Sequence, residues 1–148
     1  MSQPGLEVFD STLQKTHLWL HELQEIAHLP DEHTAFQTLR AVLHALRDRL
    51  TVDVAAHFGA QLPVLIRGFF YEGWRPAGKP LRGRSRQEFL DQISHEIVTS
   101  ENFDPIRLTR SVFELLNHHL SSGEPEKIRN VLPSEIQSLW PEPSPLYR

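Results

Sequence analysis

The chain of 148 residues contains no cysteine. That absence removes disulfides, thiol nucleophiles, thiolate zinc sites and iron–sulfur clusters together, and it fits a reducing compartment. Apolar runs are only a few residues long, well short of the ~20 that a membrane span needs, so no membrane partner is expected. The opening MSQPGLEVFD lacks a basic segment followed by an apolar one, so no signal peptide is read and the expected location is cytoplasmic. There is no Gly-rich phosphate loop, no H-E-x-x-H, no G-x-S-x-G and no EF-hand loop. Carboxylates are scattered, and none forms an evident acid–base pair. The chain is read as non-enzymatic and without a cofactor.

Enough apolar sequence is present for a core: 39% of residues are hydrophobic and 23% charged, and a chain this long hides roughly 70% of its unfolded surface. No segment alternates with period two, whereas period-3.6 stripes recur behind helix-start signals, which predicts an all-α fold of about eight helices. Ser11 and Gln14 have capping-box spacing ahead of Leu13, Leu20, Leu23 and Ala27. Asp31 is an N-cap for the stripe Ala35, Leu39, Val42, Leu46 and Leu50; Thr51 opens a short third helix, and Pro63 is placed as first residue of a fourth. Ser85 with Glu88, Asp104 with Pro105, Ser121 with Glu124, and Pro133 open four more.

The second set of helices echoes the first at an offset of 70 residues. Over 38–70 against 108–140, Arg40, Val42, Leu46, Leu50, Leu62, Pro63 and Ile66 meet Arg110, Val112, Leu116, Leu120, Leu132, Pro133 and Ile136. Background frequencies would give roughly two such identities. The reading is one domain over 1–148: a four-helix unit at about 9–72, a basic linker at 73–84, a second unit at about 85–140 and a tail at 141–148. The two units are expected to pack with pseudo-two-fold symmetry.

The segments LRAVLHALRDRL (39–50), AQLP (60–63), IRG (66–68) and YEGW (71–74), with FDSTLQKTHLWL (9–20) and SRQEFL (85–90), resemble the family catalogued as domain of unknown function 2267. The resemblance implies a small all-helical bacterial protein and no established reaction. It also implies Glu where Val54 stands and Met where Val64 stands; Val54 is expected on a helix surface.

Three features remain as candidate sites. Arg75, Lys79, Arg82, Arg84 and Arg86 put five positive charges between Gly73 and Gln87 with no acid, and Trp74 precedes them. The plainer reading is a solvated linker; the functional one is a surface for an acidic protein or an anion, with nucleic acid disfavoured because only one aromatic accompanies the charges. The net charge of −4 therefore hides two parts, since the remaining residues hold all 19 acids against 10 bases. His17 and His21 stand four apart, a metal-ligand spacing that Glu25 could complete, although both lie opposite the apolar arc and suit a solvated face. Arg47-Asp48-Arg49 could hold an anion; the plainer reading is surface ion pairs, each worth little. Trp74 is expected to end the fourth helix and be exposed, with Trp19 and Trp140 in the core. These readings predict a helical module that binds a protein partner or itself, with a metal- or ligand-binding bundle, or association through the basic linker, as alternatives.

Overall fold

The computed structural model describes residues 6–81, 83–98 and 101–142. Its regular elements are eight helices: α1 (Glu7–Ala27), α2 (Glu32–Asp48), α3 (Val52–Ala60), α4 (Val64–Tyr71), α5 (Arg86–Glu96), α6 (Pro105–His119), α7 (Glu124–Val131) and α8 (Ser134–Gln137). No strand occurs among the described residues, so the fold is all-α.

Local chemistry sets most helix starts. Asp31 accepts from the Thr34 N–H at 2.8 Å, and that backbone hydrogen bond holds its carboxyl below the usual range. Thr51, Ser85 and Asp104 accept from Val54, Glu88 and Ile106 in the same way, with Pro105 opening α6. Four predicted starts differ. α1 begins at Glu7, a turn before Ser11, without a side-chain cap; Glu7 and Asp10 in its first turn suit the helix dipole instead. Pro63 and Pro133 occupy the N-cap position rather than the first helical one, with nearly identical backbone angles (φ −53°, ψ 147° and φ −56°, ψ 145°). Proline offers no capping oxygen, so α4 is capped from elsewhere: Thr12 Oγ1 on α1 accepts from the Leu65 N–H at 2.9 Å. Ser121 does not cap α7. The start there is Gly123 at φ 89°, a left-handed conformation that glycine adopts without penalty.

The centre of the molecule is α2. Every residue from 41 to 50 is buried, and α2 packs against α1, α4, α5 and α6. The buried apolar side chains form one continuous core that runs from Trp19 to Trp140 and draws on both halves of the chain. Trp140 stacks on Phe113 with ring centres 4.2 Å apart, and its Nε1–H donates to Asn117 Oδ1 at 2.8 Å. Val54, expected at the surface, is half-buried against this core.

Contacts 70 residues apart correspond. α1 lies on α6 as α5 lies on α2; α1 meets α2 and α4 as α5 meets α6 and α8. Arg67 folds back on the end of α3, donating to Gly59, Ala60 and Leu62 carbonyls at 2.9, 3.1 and 3.0 Å. Gln137 does the same to α7, donating to Asn130 and Leu132 carbonyls at 3.5 and 2.8 Å. Residues of different type thus do one job, supplying the carbonyls that a helix end leaves unsatisfied.

Two fully buried hydroxyls, Thr38 Oγ1 on α2 and Thr109 Oγ1 on α6, have no hydrogen-bond partner. An unpaired buried hydroxyl costs free energy that an isosteric methyl does not. Thr38→Val and Thr109→Val should each stabilise the fold by about 1 kcal/mol, seen as a higher urea midpoint at unchanged slope. A fall in either midpoint would show that these hydroxyls are satisfied in solution.

Candidate functional site

The basic segment is a loop, as expected, but it is docked rather than free. The Leu81 N–H donates to the Asp48 carbonyl at 2.8 Å, fixing the loop to the end of α2. Its charges separate into unlike groups. Arg86 is the first residue of α5 and donates to Ser138 Oγ at 2.7 Å, so it ties α5 to the α8 end. Lys79 is half-buried; Arg75 and Arg84 are exposed and make no ion pair among the described residues. Arg82 lies outside the described residues. Trp74 lies beyond the end of α4, not on it, and is half-buried against Tyr71 with ring centres 5.4 Å apart. It therefore offers no exposed stacking platform.

The Arg47-Asp48-Arg49 cluster is not at the surface. These residues are 5%, 8% and 5% exposed. Arg47 donates through Nη1 to the Phe70 and Glu72 carbonyls, both at 2.8 Å, and through Nε to Asp48 at 3.0 Å. It therefore neutralises the C-terminal end of α4, where carbonyls lack helical partners. Gln92 on α5 donates to Asp48 Oδ2 at 2.9 Å and accepts from Arg49, whose guanidinium lies 5.2 Å from the Phe89 ring centre. Burial pushes the Arg49 pKa down, opposed by the Asp48 and Glu88 charges. Arg49 Nε is buried without a hydrogen-bond partner, but the other hydrogen bonds of the cluster run inside the fold and its side chains are shielded from solvent, so it holds elements together rather than an external anion.

Histidines meet carboxylates across helix boundaries. His17 Nδ1 and His21 Nε2 lie 2.7 and 3.0 Å from the same oxygen of Glu32 on α2. The carboxylate that joins the pair is thus Glu32 and not Glu25, and the chain turn at His28–Pro30 that brings it there has no signature in helical spacing. Buried His44 sits between the Phe69 carbonyl at 2.7 Å and Glu96 at 2.9 Å. His57 on α3 meets Glu124 on α7 at 3.1 Å. Burial works against the Glu124 charge, but hydrogen bonds from Gln61, His57 and Lys127 outweigh it and hold its pKa low. His118 and His119 both meet Glu22 on α1, at 3.4 and 2.9 Å, and His119 stacks on Trp19 at 4.4 Å. Among the described residues, no group of three or more His, Asp or Glu is arranged to hold a metal ion.

A concavity of about 550 Å³ opens between α1 and the α3–α4 corner. Val8, Leu18, Trp19, Leu62 and Val64 give it an apolar floor; Lys15 and Arg67 line it, and no carboxylate does. Nothing in the sequence patterns marked it, because it joins residues some 50 positions apart.

A family model described as an uncharacterized conserved protein, DUF2267, matches residues 16–139, most of the chain. The chain belongs to this family. No curated protein matches it. In this DUF2267 protein the matched segment holds all of the core, from Trp19 to Leu139, except Trp140. The first turns of α1, Glu7–Lys15, lie before it. No described helix is long and apolar enough to cross a membrane.

Proposed function

We propose that the chain is a bacterial, cytoplasmic, non-enzymatic protein-interaction module, made of a duplicated four-helix unit whose halves pack with pseudo-two-fold symmetry. The observation that carries the interaction reading is where the apolar surface lies. Of the ten exposed large apolar residues among those described, six (Leu6, Val8, Phe9, Leu13, Leu18 and Val64) cluster on α1 and the facing start of α4. Single exposed apolar residues are ordinary; their concentration along one helix and its neighbour marks a contact surface. The non-enzymatic reading rests on the histidines, most of which link helices to one another through carboxylates. The duplication reading rests on the seven identities and on the matched contacts of Arg67 and Gln137.

An acidic partner at the loop is the second reading, favoured by Arg75 and Arg84, which are exposed and make no ion pair among the described residues. One comparison separates the two. Tagged wild type, Phe9→Glu/Leu13→Glu and Arg75→Ser/Arg84→Ser are recovered from native cells, and co-purifying proteins are quantified. Loss of specific proteins, added copies of the chain included, with the first variant alone supports the α1 surface. Loss with the second alone transfers the contact to the loop, and identical recovery with all three overturns the interaction reading.

A further inference from the structure

Along α1, Phe9, Leu13, Thr16, Leu20, Leu23 and Ala27 recur at alternating steps of four and three, the spacing of one helix face. The last four are buried in the core, whereas Phe9 and Leu13 are 60% and 48% exposed. The stripe that faces the core thus runs past the edge of the body with nothing laid on it, and Leu6 extends it to a ridge of three. On the opposite flank of the same helix, Val8 and Leu18 face Val64 across the 550 Å³ groove.

The fold itself does not need this surface. In the second half α5 begins at Arg86, the equivalent of position 16, so Glu7–Lys15 has no helical counterpart. The equivalents of Leu18 and Val64 are Glu88 and Ser134, so the fold accepts polar residues at both places. Charge then indicates the occupant. The groove holds Lys15 and Arg67 and no acid. The ridge is bordered by Asp10, with Glu7 in the same first turn, and neither acid makes an ion pair among the described residues. At 48–62% exposure, the three apolar side chains of the ridge and the three of the groove each present on the order of 300 Å², below the roughly 800 Å² per partner of a standard interface, which places the contact among weak, concentration-dependent ones.

Resting on the interaction reading above, we propose that the occupant is a second copy of the chain: the Leu6–Phe9–Leu13 ridge of one copy enters the Val8–Leu18–Val64 groove of the next. Ridge and groove lie on opposite flanks of α1, so the contact is heterologous, and each copy keeps one free ridge or groove for a further copy. Assembly is therefore head to tail and does not stop at two.

Sedimentation velocity of the full chain across a concentration series tests this. Wild type should grow with concentration through species larger than two copies. Phe9→Glu, which blocks the ridge, and Val64→Glu, which blocks the groove, should each remain single copies with unchanged helical circular dichroism. Mixed in equal amounts they should form a two-copy species and nothing longer, because one intact ridge and one intact groove remain. If Val64→Glu fails to fold, Lys15→Glu takes its place. A wild type that stays single at every concentration overturns the inference. So does a wild type that stops at two copies, or a mixture that fails to pair. None of these outcomes touches the capture comparison above, which decides the broader reading by itself.

Discussion

Replacing Arg47 with methionine should cost about 3–5 kcal/mol, the range observed when one member of a buried charged network is removed. The magnitude follows from what the guanidinium touches. Arg47 is 5% exposed and donates to two backbone carbonyls at the end of α4 as well as to Asp48. Methionine fills much of the same volume, so little of the loss is cavity; the loss is two carbonyls without this donor and a buried carboxylate left with Gln92 but without its cation. For a chain of about this length the melting temperature falls by roughly 2–4 °C per kcal/mol, so a drop of about 10 °C is expected in a thermal circular dichroism scan. Arg47→Lys should recover only part of it, since a single ammonium keeps the charge but cannot span two carbonyls and a carboxylate. An Arg47→Met protein within about 0.5 kcal/mol of wild type, the range of ordinary surface changes, would mean that Asp48 and the α4 end are satisfied by water.

That cluster also shows where sequence reading stops. Asp31, Thr51, Ser85 and Asp104 cap the helices they were expected to cap, because a cap is a contact over three residues and is written locally. The charges of Arg47, Asp48 and Arg49 point to the surface when read locally. They are buried because α2 is surrounded by α1, α4, α5 and α6, and that enclosure is a property of the assembled fold. The cap that Thr12 gives α4, and the Glu32 carboxylate between His17 and His21, depend likewise on chain turns that spacing does not encode. The candidate surface was half visible. Leu13 stood in the sequence as a helix-face residue and Phe9, ahead of the expected helix start, did not; the exposure of both follows from α1 starting at Glu7 and outrunning the body it packs on. The proposed offset of 70 rests on identities such as Leu62-Pro63 with Leu132-Pro133, while Arg67 and Gln137 make like contacts without sharing a residue type.

The same offset sets two contacts between the halves side by side, and their unequal chemistry predicts unequal costs. Gln92 on α5 holds Asp48 and Arg49, with Arg49 over Phe89. Seventy residues away in each case, Glu22 on α1 holds His118 and His119, with His119 over Trp19. Gln92→Ala should cost about 2–4 kcal/mol, because it strands groups that keep their charge: a guanidinium at 5% exposure and a carboxylate beside it. Glu22→Ala should cost only about 0.5–1.5 kcal/mol, because a histidine left without a carboxylate can remain a neutral imidazole. Its side chains are also more open to water, His118 and His119 at 17% and 21% and Glu22 at 29%. The two sites share no side chain, so the double variant should show the sum of the single losses within about 0.5 kcal/mol. Urea unfolding of the four proteins of this cycle checks both statements. Equal costs for the two single variants would remove the distinction between permanent and removable charge. A strongly non-additive double variant would show instead that the two contacts open together, as one hinge between the halves.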